Sequence, residues 1–193
     1  VRPDSRETVS FYVVGLFLLV VLPGLNLLPA EDSWLHLSDF RLNQFGKFLA
    51  FAILAMGLDL IWGYCGVLSM GQGVFFGLGA YCMGMYLTLQ IGTESVYGSE
   101  LPDFMVWTQV KELPLFWYPF KSFVGGFVGA ILVPVLFAAL FGFLAFRSRI
   151  KGVYFAIITQ ALAFAAWLVF NRNETRLGGT NGLTDFKQLL AFR

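Results

Sequence analysis

The residue with the clearest chemical potential in this sequence is Asp59, a carboxylate inside a long apolar stretch. It is the only charged residue between Phe48 and Thr93. A carboxylate costs about 2.5–3.5 kcal/mol at the centre of a membrane helix on insertion scales, so its side chain must face protein or water. Two interpretations are equally open. Asp59 lines a polar path, or it accepts hydrogen bonds from backbone N–H groups of the glycine-rich segment that follows it.

Four more polar side chains lie in apolar surroundings. Ser69 and Gln72 belong to the sequence GVLSMGQG, and Thr159 and Gln160 are neighbours in a second apolar stretch. Hydroxyl and amide groups both donate and accept hydrogen bonds, which suits a small polar solute. The alternative for Thr159 and Gln160 is a hydrogen bond to a neighbouring helix, which is the commoner role of such side chains in membranes.

The sequence contains no recognisable catalytic or metal-binding constellation. Cys65 and Cys82 lack partners at metal-ligand spacing, the single histidine is His36 in a predicted loop, and no G-x-S-x-G occurs. The glycine-rich stretch 178–182 lacks the G-K-[ST] ending of a phosphate loop, so a tight turn is expected there. A net charge of +1 does not indicate a surface that binds nucleic acid. We therefore expect neither an enzyme nor a cofactor or metal site in this chain.

The composition indicates which class of protein contains these polar side chains. Hydrophobic residues make up 58% of the chain and charged residues 13%, against about 25% charged in soluble domains. The windows 8–30, 122–146 and 152–171 carry no charge. About 20 apolar residues cross the hydrocarbon core as a helix. The sequence predicts an all-α, polytopic membrane protein.

About five transmembrane helices are predicted, with a glycine-rich broken segment near residues 65–73. The first has the length of a signal peptide, but Leu28-Pro29-Ala30 offers no small residue at the −3 position, so we expect it to be retained. The predicted helices are 9–28, 45–64, 74–91, 122–146 and 153–170.

Charge predicts the orientation of these helices. The loop 147–151 holds three positive charges and no negative one, which places it in the cytoplasm together with the N-terminus. The loops 29–44, 92–121 and 171–193 are then extracytoplasmic. Aromatic residues of the loop 92–121 are expected to form an interfacial belt, with ligand binding as the alternative. They are Tyr97, Phe104, Trp107, Phe116, Trp117 and Tyr118.

Small residues at four-residue spacing predict close packing of helices in lipid, because they let helix backbones approach each other. The pairs are Gly73 with Gly77, Ala80 with Gly84, Gly125 with Gly129, and Gly126 with Ala130.

Three segments resemble one family of transport proteins. GLDLIWGYCGVLSMGQGVFFGLGAYCMGMYL (57–87), KGVYFAIITQALAFAAWLVFN (151–171) and LGGTNGL (177–183) are similar, in the expected order, to the permease subunits of branched-chain amino acid type ABC importers. Asp59, Gln72-Gly73, Thr159-Gln160 and the tail 170–186 look most like the urea-importing branch. Amino-acid permeases of the family often carry asparagine and histidine at the positions of Asp59 and Gln72.

The resemblance implies a translocation subunit in the inner membrane of a bacterium, embedded in lipid. Its partners would be a homologous second permease, two cytoplasmic ATPases that use ATP and Mg, and a periplasmic solute-binding protein. Urea is the expected solute, with a path lined by Asp59, Ser69, Gln72, Thr159 and Gln160. A branched-chain amino acid permease and a passive channel for small solutes are the alternatives. Because such permeases are longer, this sequence is expected to be an N-terminal fragment of about half of one.

Overall fold

The computed structural model describes residues 5–27, 37–150, 152–184 and 186, and every long element in these ranges is a helix. No strand occurs in this part of the chain. The chain divides into two compact units, Val1–Ala55 and Met56–Arg193. The helices, in chain order, are α1 (Ser5–Leu16), a π-helical turn (Phe17–Val21), α2 (Leu22–Leu27), α3 (Asp39–Cys65), α4 (Gln72–Ile91), α5 (Asp103–Trp107), α6 (Phe123–Arg147) and α7 (Val153–Asn171), with short 3-10 turns at 92–94, 115–121, 173–175 and 179–181.

In the first unit, helical structure runs without a break from α1 through the π-helical turn into α2. Pro23 has no N–H to donate to the carbonyl of Leu19, and a local change of hydrogen bonding before a proline accommodates that loss. The side chain of Asn26 donates to the carbonyl of Leu37 and to the Asp39 carboxylate, both at 2.8 Å. These bonds tie the end of α2 to the start of α3.

Four of the described helices are long and apolar enough to cross a membrane, namely α3, α4, α6 and α7. The prediction of an all-α polytopic membrane protein is thereby confirmed. The apolar part of the first helical run, Tyr12–Leu27, is shorter than the about 20 residues that a membrane crossing needs. A fifth crossing at 9–28 stays a prediction. The first half of the predicted loop 29–44 lies outside the described residues, and its last six residues are not loop, because α3 begins at Asp39.

The core of the second unit lies where the C-terminal half of α4 meets α6 and the loop 92–121. Its buried members are Cys82, Met85, Met105, Trp117 and Phe120. Glycines allow the close approach of the two helices. A Cβ on Gly126 would stand 2.8 Å from Cβ of Tyr86, and one on Gly79 would stand 2.9 Å from the carbonyl oxygen of Ala130.

The loop 92–121 is folded onto this core, and for Trp117 the expectation of an interfacial belt is wrong. Trp117 is 0% exposed, and its indole N–H donates to the carbonyl of Arg176 at 3.1 Å. A ring with a partner for its N–H can be buried completely, which the sequence pattern does not reveal. Phe104 is half-buried, whereas the other four residues of the predicted belt are exposed, namely Tyr97, Trp107, Phe116 and Tyr118.

The predicted small-residue pairs have very different surroundings. Gly126 and Gly129 of α6 face α4, and Gly129 also touches the ring of Phe120. Gly125 lies directly against the carbonyl of Pro119, and Gly84 against the side chain of Leu183. Gly73, Gly77 and Ala80 are different: no atom lies within 4 Å of a Cβ built on either glycine, and Ala80 is exposed. For those three, packing against a partner stays a prediction.

Candidate functional site

The broken segment between α3 and α4 comprises residues 66–71. Gly66 adopts φ +64°, a left-handed conformation that glycine reaches without strain. Its N–H donates to the carbonyl of Trp62 at 3.0 Å and so closes α3. The backbone then runs without helical structure to the turn at Met70-Gly71, and α4 begins at Gln72. Irregular backbone of this kind is tolerated at membrane depth only where protein or water covers it.

Thr159 of α7 holds this segment in place. The Met70 N–H donates to Oγ1 of Thr159 at 3.0 Å, across 89 residues of sequence. The hydroxyl itself lies 3.0 Å from the carbonyl of Phe155 and 2.9 Å from that of Ala156, to which it donates. Thr159 is 0% exposed. Its hydroxyl acts both as donor and as acceptor, so Thr159 connects α7 to the broken segment.

Gly71 makes that connection possible. A Cβ at this position would stand 2.8 Å from the carbonyl oxygen and 3.2 Å from Cβ of Thr159. The first contact is with backbone, which cannot swing aside. Any larger residue at position 71 must therefore push the broken segment away from α7.

Ser69 and Gln72 lie on either side of this contact. Ser69 is 5% exposed, whereas Gln72 is half-buried. The amide nitrogen Nε2 of Gln72 reaches back to α3, where it lies 3.3 Å from the position of a Cβ on Gly57. The glycine at position 57 therefore gives room to the Gln72 side chain.

Asp59 does not join this group. Its side chain is exposed on α3, and no hydrogen bond or ion pair of its carboxylate occurs within the described ranges. At 100° per residue it lies about 200° around the helix from Gly57, the position that Gln72 contacts. The broken segment thus supplies no hydrogen bond to Asp59. Of the two interpretations drawn from the sequence, the bond to backbone N–H groups is absent, and the carboxylate sits on an open face of α3.

Gln160 faces a different space from its neighbour Thr159. It is exposed and lines a cavity of about 540 Å³ together with Trp62, Leu68, Met70 and Ala156. The broken segment forms part of the same wall. Four of the five predicted residues therefore lie in or beside the junction of α4, α7 and the broken segment, while Asp59 stands apart from them.

A groove runs along the remaining seam between α4 and α7. It has a volume of about 480 Å³ and is lined by small residues of both helices, among them Gly73, Gly77, Ala163 and Ala166. Asn181 lines its far end. A Cβ added to Gly73 or Gly77 would meet no neighbouring atom, because both glycines face this groove. The groove is mostly apolar, with amide groups near one end.

Sequence reasoning missed two contacts at this junction, Gly71 with Thr159 and Gly57 with Gln72. Glycine beside an irregular segment is a sign of close backbone approach, but it does not identify the partner, and Thr159 is far from Gly71 in the sequence. In the described part of the chain, no group of three or more His, Cys, Asp or Glu side chains is placed to hold a metal ion.

Comparison with known proteins identifies the family. The sequence model of a family described as "Branched-chain amino acid transport system / permease component" matches residues 40–192. The match covers most of the chain and includes nearly all of α3 and the whole of α4 to α7. No curated protein and no solved structure gave a significant match. The chain belongs to this permease family.

Proposed function

We propose that this member of the branched-chain amino acid permease family forms part of the translocation path of an ATP-driven importer, and that the transported solute is a small neutral polar molecule, namely urea. The membership makes the chain a membrane transport component. The solute, the path and the source of energy are parts of the proposal.

Asp59 is the observation that carries the proposal. It is the single charge in its apolar stretch, and it is exposed on α3 without a partner in the described part of the chain. A carboxylate on a lipid-facing surface is costly, so this face of α3 borders a partner helix or a watery path. A permease places such a path where two sets of helices meet.

The single charge in the apolar stretch 48–93 favours a neutral solute. A zwitterionic amino acid favours a complementary charged pair or exposed helix ends as its binding groups, whereas this stretch holds one carboxylate. Urea offers N–H donors to a carboxylate and a carbonyl to a donor such as an amide N–H. The amides of Gln72 and Gln160 supply that second kind of group.

The junction of α4 and α7 has a separate role in the proposal. Thr159 and Gly71 fix the broken segment, while Gln72 at the start of α4 and Gln160 in the neighbouring cavity stay accessible. The N-terminus of α4 has no side-chain cap, so its first N–H groups add a partial positive charge where a polar solute passes.

The partners of the chain follow from the family and belong to the proposal. They are a second permease subunit, two cytoplasmic ATPases that bind ATP and Mg, and a periplasmic binding protein that delivers the solute. The chain would lie in a bacterial inner membrane with its N-terminus in the cytoplasm, as the positive loop 147–151 favours.

The test is ATP-dependent uptake of [14C]urea by the assembled importer carrying Asp59→Ala. We expect uptake to fall at least tenfold, which corresponds to about 1.4 kcal/mol, with normal assembly. Glu112→Gln, which removes an exposed carboxylate of the loop 92–121, is the matched control and should transport normally. Normal uptake by Asp59→Ala would reject the path.

The alternatives give different results in the same assay. Leucine that competes with uptake while acetamide does not would indicate an amino-acid permease. Uptake that survives ATP depletion and loss of the binding protein would indicate a passive channel.

A further inference from the structure

The turn that joins α6 to α7, residues 147–152, carries positive charge without an acidic neighbour in sequence. It contains Arg147, Arg149 and Lys151, and no Asp or Glu occurs from residue 113 to residue 173. Both arginines are exposed, and neither forms an ion pair with any residue that the structure describes. None of the five residues proposed for the translocation path belongs to this turn.

The guanidinium of Arg147 lies over an exposed apolar surface of α6. Its Cζ is 5.6 Å from the centroid of the Phe143 ring, one helical turn earlier, which is within the range of a cation–π contact. Phe143 is 60% exposed, and α6 is one of the helices that can cross a membrane. In a bilayer, a guanidinium at the end of such a helix lies at the edge of the hydrocarbon, where the lipid phosphates are.

Arg149 occupies a backbone position that favours glycine. Its φ is +56°, in the left-handed region. The N–H of Arg149 donates to the carbonyl of Phe146 at 3.0 Å, and that of Ile150 donates to the carbonyl of Ala145 at 3.4 Å. These two bonds form a Schellman motif, whose left-handed residue is usually glycine. Because glycine would adopt this conformation with less strain, the backbone of the turn does not explain an arginine here, and a role for its charge does.

We propose that the α6–α7 turn binds an anionic phospholipid, whose phosphate pairs with Arg147 and Arg149 and whose acyl chain lies along the exposed face of α6. Guanidinium groups form paired, charge-assisted hydrogen bonds with phosphate oxygens. Below Arg147, the same face of the helix continues through Phe143, Leu140 and Leu136, all of which are exposed. This inference does not depend on which solute the permease transports.

The surroundings of the turn favour a lipid over an acidic protein surface. Since α6 ends at Arg147 and α7 begins at Val153, the connection is too short to reach far from the membrane surface. Val153 and Tyr154 are each 74% exposed, so exposed apolar side chains flank the charges on both sides in sequence. A basic segment next to membrane helices is attracted to anionic lipid headgroups, and the acyl chains of the same molecule cover the apolar side chains.

The proposal is tested with a fluorophore at the position expected for the acyl chain. Leu140 lies seven residues before Arg147 on the same face of α6, about 10 Å deeper in the membrane, so bimane on Leu140→Cys detects a lipid bound at the turn. The exposed Cys65 is replaced by alanine, and the buried Cys82 can stay. The assembled importer is reconstituted in mixtures of dioleoyl phosphatidylglycerol and dioleoyl phosphatidylcholine, with one or the other lipid brominated as a quencher. We expect a preference for the anionic lipid of at least about fivefold.

Arg149→Gly is the decisive change, because it removes the charge and relieves the backbone strain. The preference for phosphatidylglycerol should fall about fivefold, the effect of one charge near a membrane surface. The unfolding midpoint in phosphatidylcholine should stay the same or rise, since glycine fits the left-handed backbone. Arg147→Gln should lower the preference by a similar factor.

Arg176→Gly is the matched control. Arg176 is also an exposed arginine with a left-handed backbone, at φ +58°, but it follows the opposite end of α7. The substitution therefore removes the same charge and relieves the same kind of strain away from the turn. The preference measured at Leu140→Cys should not change in this variant.

Four results would overturn the proposal. Equal quenching by the two lipids, or a preference that survives both Arg149→Gly and Arg147→Gln, excludes a lipid site at this turn. Loss of the preference in soluble glycerol phosphate, at constant ionic strength, indicates a site for free phosphate esters. Release of the cytoplasmic subunits from Arg149→Gly with the preference intact indicates an acidic protein surface. A lower unfolding midpoint of the arginine variants in both lipids, again with the preference intact, indicates that the charges only stabilise the C-terminal end of α6.

Discussion

The two ends of α4 show opposite kinds of packing. Toward its C-terminus, Cys82, Met85 and Tyr86 are buried against α6 and the folded loop 92–121. Toward its N-terminus, a Cβ built on Gly73 or Gly77 would meet no atom of a neighbouring element within 4 Å. The first end lies in the main core of the second unit. The second end borders the open groove along α7.

The difference lies in how the neighbouring helix is held. Glycines of α6 and α4 bring those two helices into backbone contact along several turns. The link from α7 to α4 and to the segment that precedes it is narrower. Met70 and Gly71 lie against Thr159, and the ring of Tyr81 lies 4.3 Å from that of Phe170. Regions with few buried contacts are the ones that open at low free energy. We infer that the seam between α4 and α7 opens more readily than the contact between α4 and α6.

The largest loss of stability is expected from a truncation in the core that covers the C-terminal end of α4. Trp117→Ala deletes a ring that is 0% exposed, together with its bond to the Arg176 carbonyl. Truncation of a buried Trp costs about 3–5 kcal/mol. We expect the midpoint of thermal unfolding in detergent to fall steeply. The midpoint is measured as the temperature at which the monodisperse peak in size-exclusion chromatography is lost.

Trp107→Ala is the control for that change, because Trp107 lies in the same loop but is 61% exposed. Its unfolding midpoint should stay close to that of the unchanged chain. Equal losses for the two variants would contradict the assignment of Trp117 to the core and of Trp107 to its surface.

A smaller loss of stability is expected from a change at Gly71, next to the N-terminal end of α4, where the broken segment contacts α7. Gly71→Ala places a methyl group 2.8 Å from the Thr159 carbonyl oxygen, and overpacking of this kind costs about 1–3 kcal/mol. Gly77→Ala, in the same helix region but without a neighbour within 4 Å, should be neutral or stabilising by about 0.5–1 kcal/mol, since alanine favours a helix interior. Thermal unfolding of both variants measures the difference. A loss of stability in Gly77→Ala alone would show that the groove is filled.

The sequence was sufficient for the class of fold because uncharged windows long enough to span a membrane are visible without any knowledge of contacts. The helix α4, observed at Gln72–Ile91, lies close to the predicted 74–91, since glycines mark its start and its end. The start of α3 at Asp39 was missed. A polar first turn, with Asp39 and Arg41, looks like a loop until Asn26 is seen to bond to it.

The candidate site was predictable as a set of residue types but not as an arrangement. Thr159 and Gln160 are adjacent in sequence, but their side chains point in different directions around α7. Which of them meets the broken segment depends on Met70, the hydrogen-bond partner of Thr159, which is distant in sequence. Asp103 was not singled out because a carboxylate in a polar loop is ordinary in sequence. Only the burial of its Oδ1, which has no hydrogen-bond partner among the described residues, makes it unusual.

The smallest effect that still separates the two ends of α4 comes from a single hydroxyl. Thr159→Val keeps the shape of the side chain but removes the acceptor of the Met70 N–H; an unpaired donor of this kind costs about 1 kcal/mol or somewhat more. Hydrogen–deuterium exchange should therefore become about fivefold to tenfold faster at Met70, as about 1–1.4 kcal/mol requires, and stay unchanged at Cys82 and Met85. Thr159→Ser, which retains the hydroxyl, should protect Met70 nearly as well as threonine does. If exchange rose equally along the whole of α4, the seam with α7 would not open separately, and α4 would not have two ends of different stability.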